Sequence, residues 1–571
     1  VLFRSRGVEI DIEKYTIGID FGTLSGRAVL LRTSDGAEIA SSVYPYPHGV
    51  MDKYLLTPDE EKIKLGDSWA LESPEDYLDV LANVIREVMG EGGVSAEDIV
   101  GLGIDFTICT LMPVYADRTP LCFDPRFAEN PYAYVKLWKD HSSSPYAKRL
   151  TDIARERGED WLRLYGGEIQ SEWMFPKLWQ ILEEAPEVYE AADYFMEAGD
   201  WVTWMLTGEQ TRSSAVAGFK SIFIDGKYPS KSFLRALDPR MENVPEEKLG
   251  CGKVKMLSVG ERAGYITESA AKLTGLTTSC AVTVNLSDAH AAVPAAKICT
   301  PGKMLMILGT STCTMLLSDE IHDVPGICGI VKDGFIPGMY AYEAGQSCVG
   351  DHFAWFADTL APAEYKKEAE VSGISTLKLL VRKMAELSPG ESGLIALDWW
   401  NGNRSILVDS DLSGVFVGMS LTTKPEEMFR ALVEATAFGC RAVIENYNSH
   451  GVPVTDLTAC GGIAVKDPVT MQIYADVLGQ EIRIAGSAHG PATGSAILAA
   501  YASGEYDTIA EASEHMGSLS DTVYRPIPHN VVVYNELYRE YMTLHDYFGK
   551  ENNVMKKLKA IRSRETVYKT L

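Results

Sequence analysis

A strand–turn–strand pattern that occurs twice, about half of the 571-residue chain apart, is the feature that most constrains the fold. Residues 16–31 (TIGIDFGTLSGRAVLL) and residues 303–317 (KMLMILGTSTCTMLL) each place a Gly-Thr pair between two apolar runs. Apolar, β-branched runs around a tight turn are typical of β-hairpins. A repeat at half the chain length indicates two similar domains, although hairpins with Gly and Thr are common enough that chance similarity stays open.

Helix and strand signals alternate between the two hairpins. A helix is expected near 74–89, because Ser73 can cap its first turn and Pro74 suits its first position. A buried strand is expected over residues 99–106 (IVGLGIDF), and residues 423–426 (TKPE) predict a capping box that opens a further helix. Strands and helices that alternate at this spacing predict an α/β architecture.

Charge and hydropathy exclude several classes of function. The 79 acidic residues outnumber the 53 Lys and Arg, and a net charge of −26 disfavours nucleic acid and anionic membranes as partners. No stretch of 18 apolar residues occurs, so no membrane span is expected. The ten scattered cysteines favour reduced thiols in the cytoplasm. Residues 1–13 carry two Arg but no apolar core, so we expect an extension or a translation-start artefact rather than a signal peptide.

Three glycine-containing turns are candidates for contact with phosphate or with a flat ligand. A phosphate approaches the backbone only where side chains are small, and Thr or Ser hydroxyls add donors. No P-loop or dinucleotide-binding fingerprint occurs, so those two kinds of nucleotide site are excluded. Any one such turn is more often structural, but three in this order favour a nucleotide site. The candidate residues are Gly22, Thr23, Gly309, Thr310, Ser311, Gly461 and Gly462.

The order of these motifs resembles that of the FGGY carbohydrate kinases, the sugar-kinase branch of the actin-like ATPases. Residues 20–23 (DFGT) resemble the family's first phosphate motif, residues 309–311 (GTS) its second and residues 461–462 (GG) its adenosine motif. Residues 414–419 (GVFVGM), with Glu427, Met428 and Glu434, are similar to its C-terminal signature, from which Leu432 departs. The resemblance covers residues 15 to 520, nearly the whole chain.

Within the family, the chain is most similar to members that phosphorylate L-ribulose at O5 in L-arabinose catabolism. One departure is Ile108, where such members often have a small residue. If its side chain faces the sugar, substrate size or affinity changes. The motifs that carry this similarity are residues 105–110 (DFTICT), 136–139 (KLWK), 171–177 (SEWMFPK), 217–220 (AGFK), 288–290 (DAH), 343–347 (EAGQS) and 397–404 (LDWWNGNR).

The resemblance implies a two-domain, actin-like (ribonuclease H-like) α/β fold with a cleft between the domains. We expect an N-terminal domain over residues 14–275, which binds sugar and carries the first phosphate motif. A C-terminal domain over residues 276–525 would carry the catalytic base, the second phosphate motif and the adenosine motif, followed by a helical extension over residues 526–571. ATP and Mg²⁺ are the implied cofactors, and a homodimer stays open.

Two carboxylates have expected roles in phosphoryl transfer. A sugar hydroxyl is a poor nucleophile, so a carboxylate must accept its proton as it attacks the γ-phosphate. Asp288 suits this general base, because it follows the apolar run 282–286 at a strand end; the alternative is a helix N-cap. Asp20, at the end of the first strand, is expected to hold Mg²⁺. Asp105 lies in a second Gly-Ile-Asp-Phe copy and either reaches the same metal or is structural.

Substrate recognition needs polar groups matched to hydroxyls and a ketone. Besides Asp288, the candidates for substrate binding are Lys220 as a donor, Glu343 as an acceptor, Trp138 against the apolar sugar face, and Ile108. The alternatives are a solvated surface position for Lys220, a capping role for Glu343 and a core position for Trp138. Two other functions also stay open. One is an FGGY kinase for D-ribulose, ribitol or xylulose, and the other is an actin-like nucleotide switch without sugar phosphorylation.

Overall fold

The structure is a computed structural model that describes residues 13–57 and 62–570. The extension predicted for residues 1–13 therefore lies, apart from Glu13, outside the described residues. The described residues form two compact units. The first comprises the chain up to Ile153, Gln170–Lys297 and His489–Ser518, and the second comprises Ala154–Ile169, Ile298–Ala488 and the chain from Leu519 onward.

The larger sheet of the first unit is mixed and has seven strands within the described part of the chain. Strand Tyr15–Phe21 pairs antiparallel with Ser25–Arg32 and parallel with Ile99–Phe106, so the first hairpin and the 99–106 strand are confirmed. In sheet order the strands are Arg262–Tyr265, Ala281–Thr283, Ile99–Phe106, Tyr15–Phe21, Ser25–Arg32 and Glu38–Pro45, with Leu286–Ser287 also paired to Ile99–Phe106. Smaller sheets contain Tyr194–Glu197, Leu111–Val114, Val135–Lys136 and Leu71–Glu72; Thr211–Ser213 and Lys255–Leu257; and Tyr54–Leu56 and Lys62–Lys64.

The core of the first unit forms where one helix packs its apolar stripe on this sheet. Helix Pro74–Gly92 begins as predicted, with the Ser73 hydroxyl accepting a hydrogen bond from the Glu75 amide at 3.4 Å. Its buried side chains recur at helical spacing and pack against strand residues such as Ile17 and Ile104. Burial of this stripe fixes the sheet on which the candidate carboxylates lie.

Bare glycines let a second helix lie directly against the same sheet. A Cβ atom on Gly18 would lie 1.8 Å from the carbonyl oxygen of Ala492, and one on Gly103 would lie 1.9 Å from that of Ser495. Any side chain at these positions would therefore push away helix Gly490–Ser503. This close approach brings Ser495 to the strand ends that carry Asp20 and Asp105.

The main sheet of the second unit repeats the arrangement of the first. Strand Lys303–Leu308 pairs antiparallel with Thr312–Ser318 and parallel with Asp456–Cys460, which confirms the second hairpin. In sheet order the strands of the described chain are Gly329–Lys332, Tyr340–Gln346, Thr312–Ser318, Lys303–Leu308, Asp456–Cys460, Ile482–Ala485 and Leu519–Tyr524. Strands Ile395–Leu397 and Val415–Val417 form a separate pair.

Helices connect the strands throughout both units, as expected for the predicted α/β class. Among the described residues none is both long and apolar enough to cross a membrane. In chain order the α-helices are Pro74–Gly92, Ser144–Arg157, Met174–Glu184, Pro186–Ala191, Ala198–Thr207, Ser214–Lys220, Lys231–Leu237, Val244–Glu247, Glu268–Thr274, Asp288–Ala295, Gly350–Trp355, Ala363–Val371, Thr376–Met384, Pro425–Ser449, Gly462–Lys466, Pro468–Leu478, Gly490–Ser503, Ile509–Met516, Pro528–Asp546 and Val554–Thr570.

The capping box predicted at residues 423–426 lies one residue further along the chain. Helix Pro425–Ser449 has Lys424 as its N-cap, and the Glu427 carboxylate accepts a hydrogen bond from the Lys424 amide at 2.7 Å. Proline is favoured at the first helical position, so Pro425 sets the start of the helix. The Thr423 hydroxyl instead accepts a hydrogen bond from the Ser420 amide at 2.8 Å.

The compact units differ from the predicted domain boundaries. A boundary at residues 275 and 276 would cut the first sheet, because Arg262–Tyr265 pairs with Ala281–Thr283 within the first unit. That unit extends to Lys297 and takes in His489–Ser518 as well. Residues 526–570 belong to the second unit rather than forming a separate extension. Pairing between distant strands and helices, which no local signal marks, determines these limits.

Candidate active site

Two carboxylates lie side by side at the ends of neighbouring parallel strands in the first unit. The register between Tyr15–Phe21 and Ile99–Phe106 pairs Asp20 with Asp105. Both side chains are buried, and the Oδ1 atom of each accepts no hydrogen bond from the described residues. The Ser495 hydroxyl donates to Asp105 Oδ2 at 2.6 Å, and Arg27 Nη1 lies 3.4 Å from Asp20 Oδ2. The pair is thus anchored on one side by Ser495 and Arg27, while the two buried carboxylates lie close enough to share a hydrogen bond when one of them is protonated.

Burial makes ionisation of this pair costly. Desolvation raises the pKa of Asp20, and the charge of Arg27 offsets part of that rise. Desolvation, followed by repulsion from Asp20, raises the pKa of Asp105 well above its ordinary value. A divalent cation bound beside two such carboxylates would stabilise their ionised forms.

Asp288 lies at the same edge of the sheet as Asp20 and Asp105. Strand Leu286–Ser287 pairs with Asp105 and Phe106, and Asp288 comes next as the first residue of helix Asp288–Ala295. Ser287 is the N-cap of that helix, so Asp288 does not hold the capping position. Its Oδ1 accepts hydrogen bonds from the Ala289 amide at 2.7 Å and the Ser287 hydroxyl at 3.2 Å. Desolvation and then the charge of Asp20 raise the pKa of Asp288 to about 6.

A pKa of about 6 suits a general base at neutral pH. The group is ionised above pH 6, yet it is more basic than an ordinary aspartate and accepts a proton more readily. As a whole residue Asp288 is partly exposed. An arrangement of three carboxylates such as Asp20, Asp105 and Asp288 can supply the two features that phosphoryl transfer needs, a base and a cation site.

Two of the residues predicted to bind sugar lie near the Ile108–Thr110 turn of the first unit. Ile108 is buried. Burial raises the pKa of the Cys109 thiol in this turn, and the charge of Lys220 offsets part of that rise. Lys220 is the last residue of helix Ser214–Lys220, and its Nζ lies 5.5 Å from the ring centroid of Trp173. A buried ammonium beside this turn can donate to an acceptor on a ligand.

Trp138 connects the sugar-binding candidates with the first phosphate motif. Its indole Nε1 donates to the Thr23 hydroxyl at 3.1 Å, and the side chain is 43% exposed. The alternative that Trp138 is a core residue is wrong, because a core Trp would be buried. Gly22 and Ser25 close the adjacent turn through a 3.1 Å backbone hydrogen bond.

The Gly309–Ser311 turn of the second unit is tied to the start of a short helix. The Gly309 amide donates to the Ser311 carbonyl at 2.9 Å, which closes the turn between the hairpin strands. The amides of Val349 and Gly350 donate to the carbonyls of Thr310 and Gly309 at 2.8 and 3.0 Å. The carbonyls are thereby occupied within the protein, while Thr310 stays exposed to solvent and to a ligand.

The Gly461–Gly462 pair separates strand Asp456–Cys460 from helix Gly462–Lys466. Gly461 has φ +93°, and a Cβ there would lie 2.5 Å from the Leu308 carbonyl oxygen, so a side chain at this position would be strained and would clash. A Cβ on Gly462 would meet no atom within 4 Å. Gly461 therefore permits the fold, whereas Gly462 leaves open space that a flat ligand can occupy.

Glu343 forms a buried ion pair in the second unit. Arg404 Nη2 lies 2.7 Å from Glu343 Oε1, and the Glu343 side chain is 5% exposed against 33% for Arg404. Arg404 Nε is also 3.0 Å from the Cys328 thiol. The guanidinium holds one carboxylate oxygen of Glu343 in place, so a hydroxyl acceptor at this position would be prealigned.

Several residues that shape these sites had no role predicted from the sequence. Arg404 and Ser495 hold candidate carboxylates, and Lys177 and Glu197 bond to the turn that contains Ile108. Arg404 and Lys177 lie within motifs that carried the family resemblance, which was the available signal. Ser495 lies 390 positions from Asp105, and no local pattern joins the two.

The side chains around the carboxylate pair decide which cation the site suits. Within residues 13–57 and 62–570 no group of three or more Asp, Glu, His or Cys side chains lies close enough to hold a metal ion by itself. Mg²⁺ prefers one or two carboxylates together with water and phosphate oxygens. Asp20 and Asp105 supply two adjacent carboxylates whose Oδ1 atoms receive no donor from the described residues, so the residues present fit Mg²⁺.

Comparison with known proteins identifies the class. The model of the N-terminal domain of the FGGY family of carbohydrate kinases matches residues 15–294, and that of the C-terminal domain matches residues 304–503. The chain belongs to the FGGY family of carbohydrate kinases, and it is a sugar kinase. The resemblance stated from the motifs is confirmed.

Individual relatives narrow the similarity further. The chain is 51% identical over 549 residues to the ribulokinase of Bacillus licheniformis, covering 95% of this chain and 98% of that one. It is 51% identical over 554 residues to the ribulokinase of Geobacillus thermodenitrificans, covering 96% and 97%. The crystal structure of xylulose kinase from Rhodospirillum rubrum superposes with a TM-score of 0.75 at 24% identity, covering 93% and 98%. This likeness confirms the predicted actin-like α/β fold class.

Proposed function

We propose that this chain transfers the γ-phosphoryl group of ATP to O5 of L-ribulose, giving L-ribulose 5-phosphate and ADP. The observation that carries the proposal is the 51% identity, over nearly the full length of both chains, to a ribulokinase. The three carboxylates at one sheet edge support it, because they provide the base and the cation site that the reaction requires. In the family this step belongs to L-arabinose catabolism.

Asp288 acts as the general base. As O5 attacks the γ-phosphorus, the O5–P bond forms, the bond from phosphorus to the β,γ-bridging oxygen breaks, and the O5 proton passes to the Asp288 carboxylate. The hydrogen bonds from Ala289 and Ser287 hold Oδ1 and leave Oδ2 to accept that proton. The raised pKa of Asp288, about 6, increases its affinity for the proton while keeping it ionised at pH 7.5.

Asp20 and Asp105 would hold Mg²⁺, directly or through water. When bound, the ion supplies positive charge that neutralises the phosphate oxygens as charge develops on them. Arg27 and Ser495 keep the two carboxylates oriented for this purpose. The hydrogen bond from the Ser495 hydroxyl to Asp105 Oδ2 fixes the orientation of the Asp105 carboxylate.

The nucleotide is assigned to the glycine turns. Gly22, Thr23, Gly309, Thr310 and Ser311 offer backbone amides or hydroxyls to phosphate. For the adenosine part we propose Gly461 and Gly462, since the open space beside Gly462 admits a flat base.

Recognition of the sugar is assigned to five side chains. Lys220 donates to a sugar oxygen, Glu343 accepts from a hydroxyl in the orientation set by Arg404, and the exposed Trp138 covers an apolar face. Ile108 borders the pocket and limits its size, and Asp288 meets the reacting hydroxyl. Each polar contact favours substrates that present the matching group, because an unpaired buried group costs binding energy.

The reaction is assigned to the cytoplasm. The ten cysteines stand singly along the sequence, and six of them are buried, as is typical of proteins in a reducing compartment. The homodimer stays an open expectation.

A substrate panel tests the proposed function. ADP release is followed with a coupled assay on L-ribulose, D-ribulose, L-xylulose, D-xylulose, ribitol and glycerol, with a no-sugar blank. The proposal predicts the largest kcat/KM for L-ribulose and little turnover in the blank. Preference for D-xylulose or glycerol would leave a sugar kinase of another specificity, and ATP turnover independent of sugar would favour a nucleotide switch.

A further inference from the structure

The turn that carries Ile108 has a backbone conformation that its surroundings must maintain. It follows strand Ile99–Phe106, and its central residue, Cys109, has φ +69° although it is not glycine. An L-residue in the left-handed region is strained and persists only when neighbouring contacts hold it there. Cys109 is also buried, with 3% exposure. The contacts that hold this turn therefore decide where Ile108 lies.

One of these contacts comes from a lysine with no exposed surface. Lys177, on helix Met174–Glu184, is 0% exposed, and its Nζ donates to three main-chain carbonyls. The acceptors are the carbonyl oxygens of Cys109 at 2.6 Å, Leu137 at 2.8 Å and Lys136 at 3.0 Å. An ammonium has three N–H donors, so these carbonyls use all of them. Lys177 thereby joins the Cys109 turn to the segment that leads into Trp138.

The second contact comes from a buried carboxylate on the amide side of the same turn. Glu197 Oε2 accepts hydrogen bonds from the Thr110 amide at 2.8 Å and the Thr110 hydroxyl at 3.1 Å. Glu197 ends strand Tyr194–Glu197 and is 5% exposed. Consecutive residues of the turn are thus held by opposite charges, with the Cys109 carbonyl on a cation and the Thr110 amide on an anion.

We propose that Lys177 and Glu197 are positioning residues for the acceptor sugar. They hold the Ile108–Thr110 turn in its strained conformation, and through the Leu137 carbonyl Lys177 also fixes the backbone next to Trp138. This inference rests on the proposed function, which assigns Ile108 and Trp138 to sugar binding. Their effect is expected at the sugar site, because the groups they hold flank sugar-binding candidates. Of the proposed nucleotide turns, those at Gly309 and Gly461 belong to the other unit, and the Gly22-Thr23 turn meets Trp138 through the side-chain bond to Thr23.

Burial of a lysine does not by itself place its ammonium on the carbonyls of the Cys109 turn, as the neighbouring Lys136 shows. Lys136 is also 0% exposed, but its ammonium lies 3.2 Å from Asp140, donates to Ser142 at 2.9 Å and packs 3.9 Å from the Trp69 ring centroid. It is neutralised by a side-chain partner away from the turn. Lys136→Met therefore removes a buried ammonium of the same unit without removing a bond to the Cys109 turn, and it serves as the matched control.

The experiment measures KM for L-ribulose and for ATP separately, together with the thermal midpoint, in the wild type and four variants. Lys177→Met and Glu197→Leu each remove hydrogen bonds to the turn, so the sugar KM should rise about 10-fold or more while the ATP KM changes less than about 3-fold. Glu197→Gln keeps an oxygen that accepts both Thr110 bonds and should stay within about 3-fold of wild type on both constants. Lys136→Met should lower the thermal midpoint yet leave the sugar KM within about 3-fold of wild type.

The inference is overturned if Lys177→Met and Glu197→Leu keep the wild-type sugar KM, or if the two KM values rise together. It is equally overturned if Lys136→Met raises the sugar KM as much as Lys177→Met does. Should Lys177→Met not fold, Glu197→Leu against Glu197→Gln decides the question. Failure of the proposed function is distinct, since the wild type itself would then show no ADP release that depends on L-ribulose.

Discussion

Replacement of Asp288 by Asn probes the chemical step with little change to the structure. Asparagine keeps an oxygen at the position of Oδ1, so the hydrogen bonds from Ala289 and Ser287 survive. What it loses is the ability to accept a proton. General base catalysis contributes roughly 10²- to 10⁴-fold, which corresponds to about 3 to 5 kcal/mol of transition-state stabilisation. We expect kcat to fall by that factor while the KM values for ATP and sugar stay within about 3-fold.

The same substitution should not destabilise the protein. The pKa of Asp288 is raised from 3.8 to about 6, so the folded state binds its proton more tightly than the unfolded state does. The ionised group therefore opposes folding, and this destabilisation grows as pH rises from about 4 to about 6 and is complete above that. An upper bound is about 3 kcal/mol at pH 7.5, from about 1.4 kcal/mol per pKa unit. Asp288→Asn removes it, so the thermal midpoint should rise or stay unchanged.

The assay combines steady-state ADP release with a thermal melt on the same preparations. For the wild type, kcat/KM should fall about tenfold per pH unit below pH 6, because the free enzyme then carries a protonated Asp288. Asp288→Asn should lose that dependence. Retention of more than about half of the wild-type kcat would refute the assignment of the base. A large loss of activity together with a lower melting temperature would point to a structural role instead.

Three further predictions concern the nucleotide and sugar sites. Gly462→Val should raise the ATP KM about 10-fold or more without lowering the thermal midpoint, since its Cβ meets no protein atom within 4 Å; an unchanged ATP KM on steady-state kinetics contradicts this. Lys220→Ala and Glu343→Ala should each lower kcat/KM for L-ribulose about 10- to 100-fold with little change in the ATP KM, and wild-type behaviour of both would exclude them from the sugar site. Ile108→Ala should improve or broaden sugar use in the substrate panel if its side chain crowds the pocket; an unchanged panel would show that it does not.

Local patterns were sufficient for the elements that carry the motifs. The two hairpins, the strand at residues 99–106 and the helix that starts at Pro74 depend on neighbouring residues, so periodicity and turn residues predict them. The order of the glycine turns also indicated the family, because these turns are short and contiguous. A repeated Gly-Ile-Asp-Phe sequence marked both Asp20 and Asp105 as candidates.

Long-range pairing accounts for what the sequence did not reveal. The parallel register that sets Asp20 beside Asp105 joins strands about 85 positions apart, and the Ser495 bond to Asp105 spans 390 positions. Long-range packing also explains why the compact units differ from the predicted domains, because helix Gly490–Ser503 belongs to the first unit. Lys177 illustrates the limit for single residues. In the sequence Lys177 cannot be told from a lysine at the surface, and only the fold shows that it is buried among three carbonyls.

The position of the new phosphate ester tests the central claim most directly. Purified protein is incubated with L-ribulose, ATP and Mg²⁺, and the product is examined by proton–phosphorus correlation NMR while ADP is quantified in parallel. The proposed function predicts a phosphate coupled to the protons on C5, with one ADP formed per sugar phosphate. A phosphate coupled to the C1 protons, or ADP accompanied only by inorganic phosphate, would contradict it.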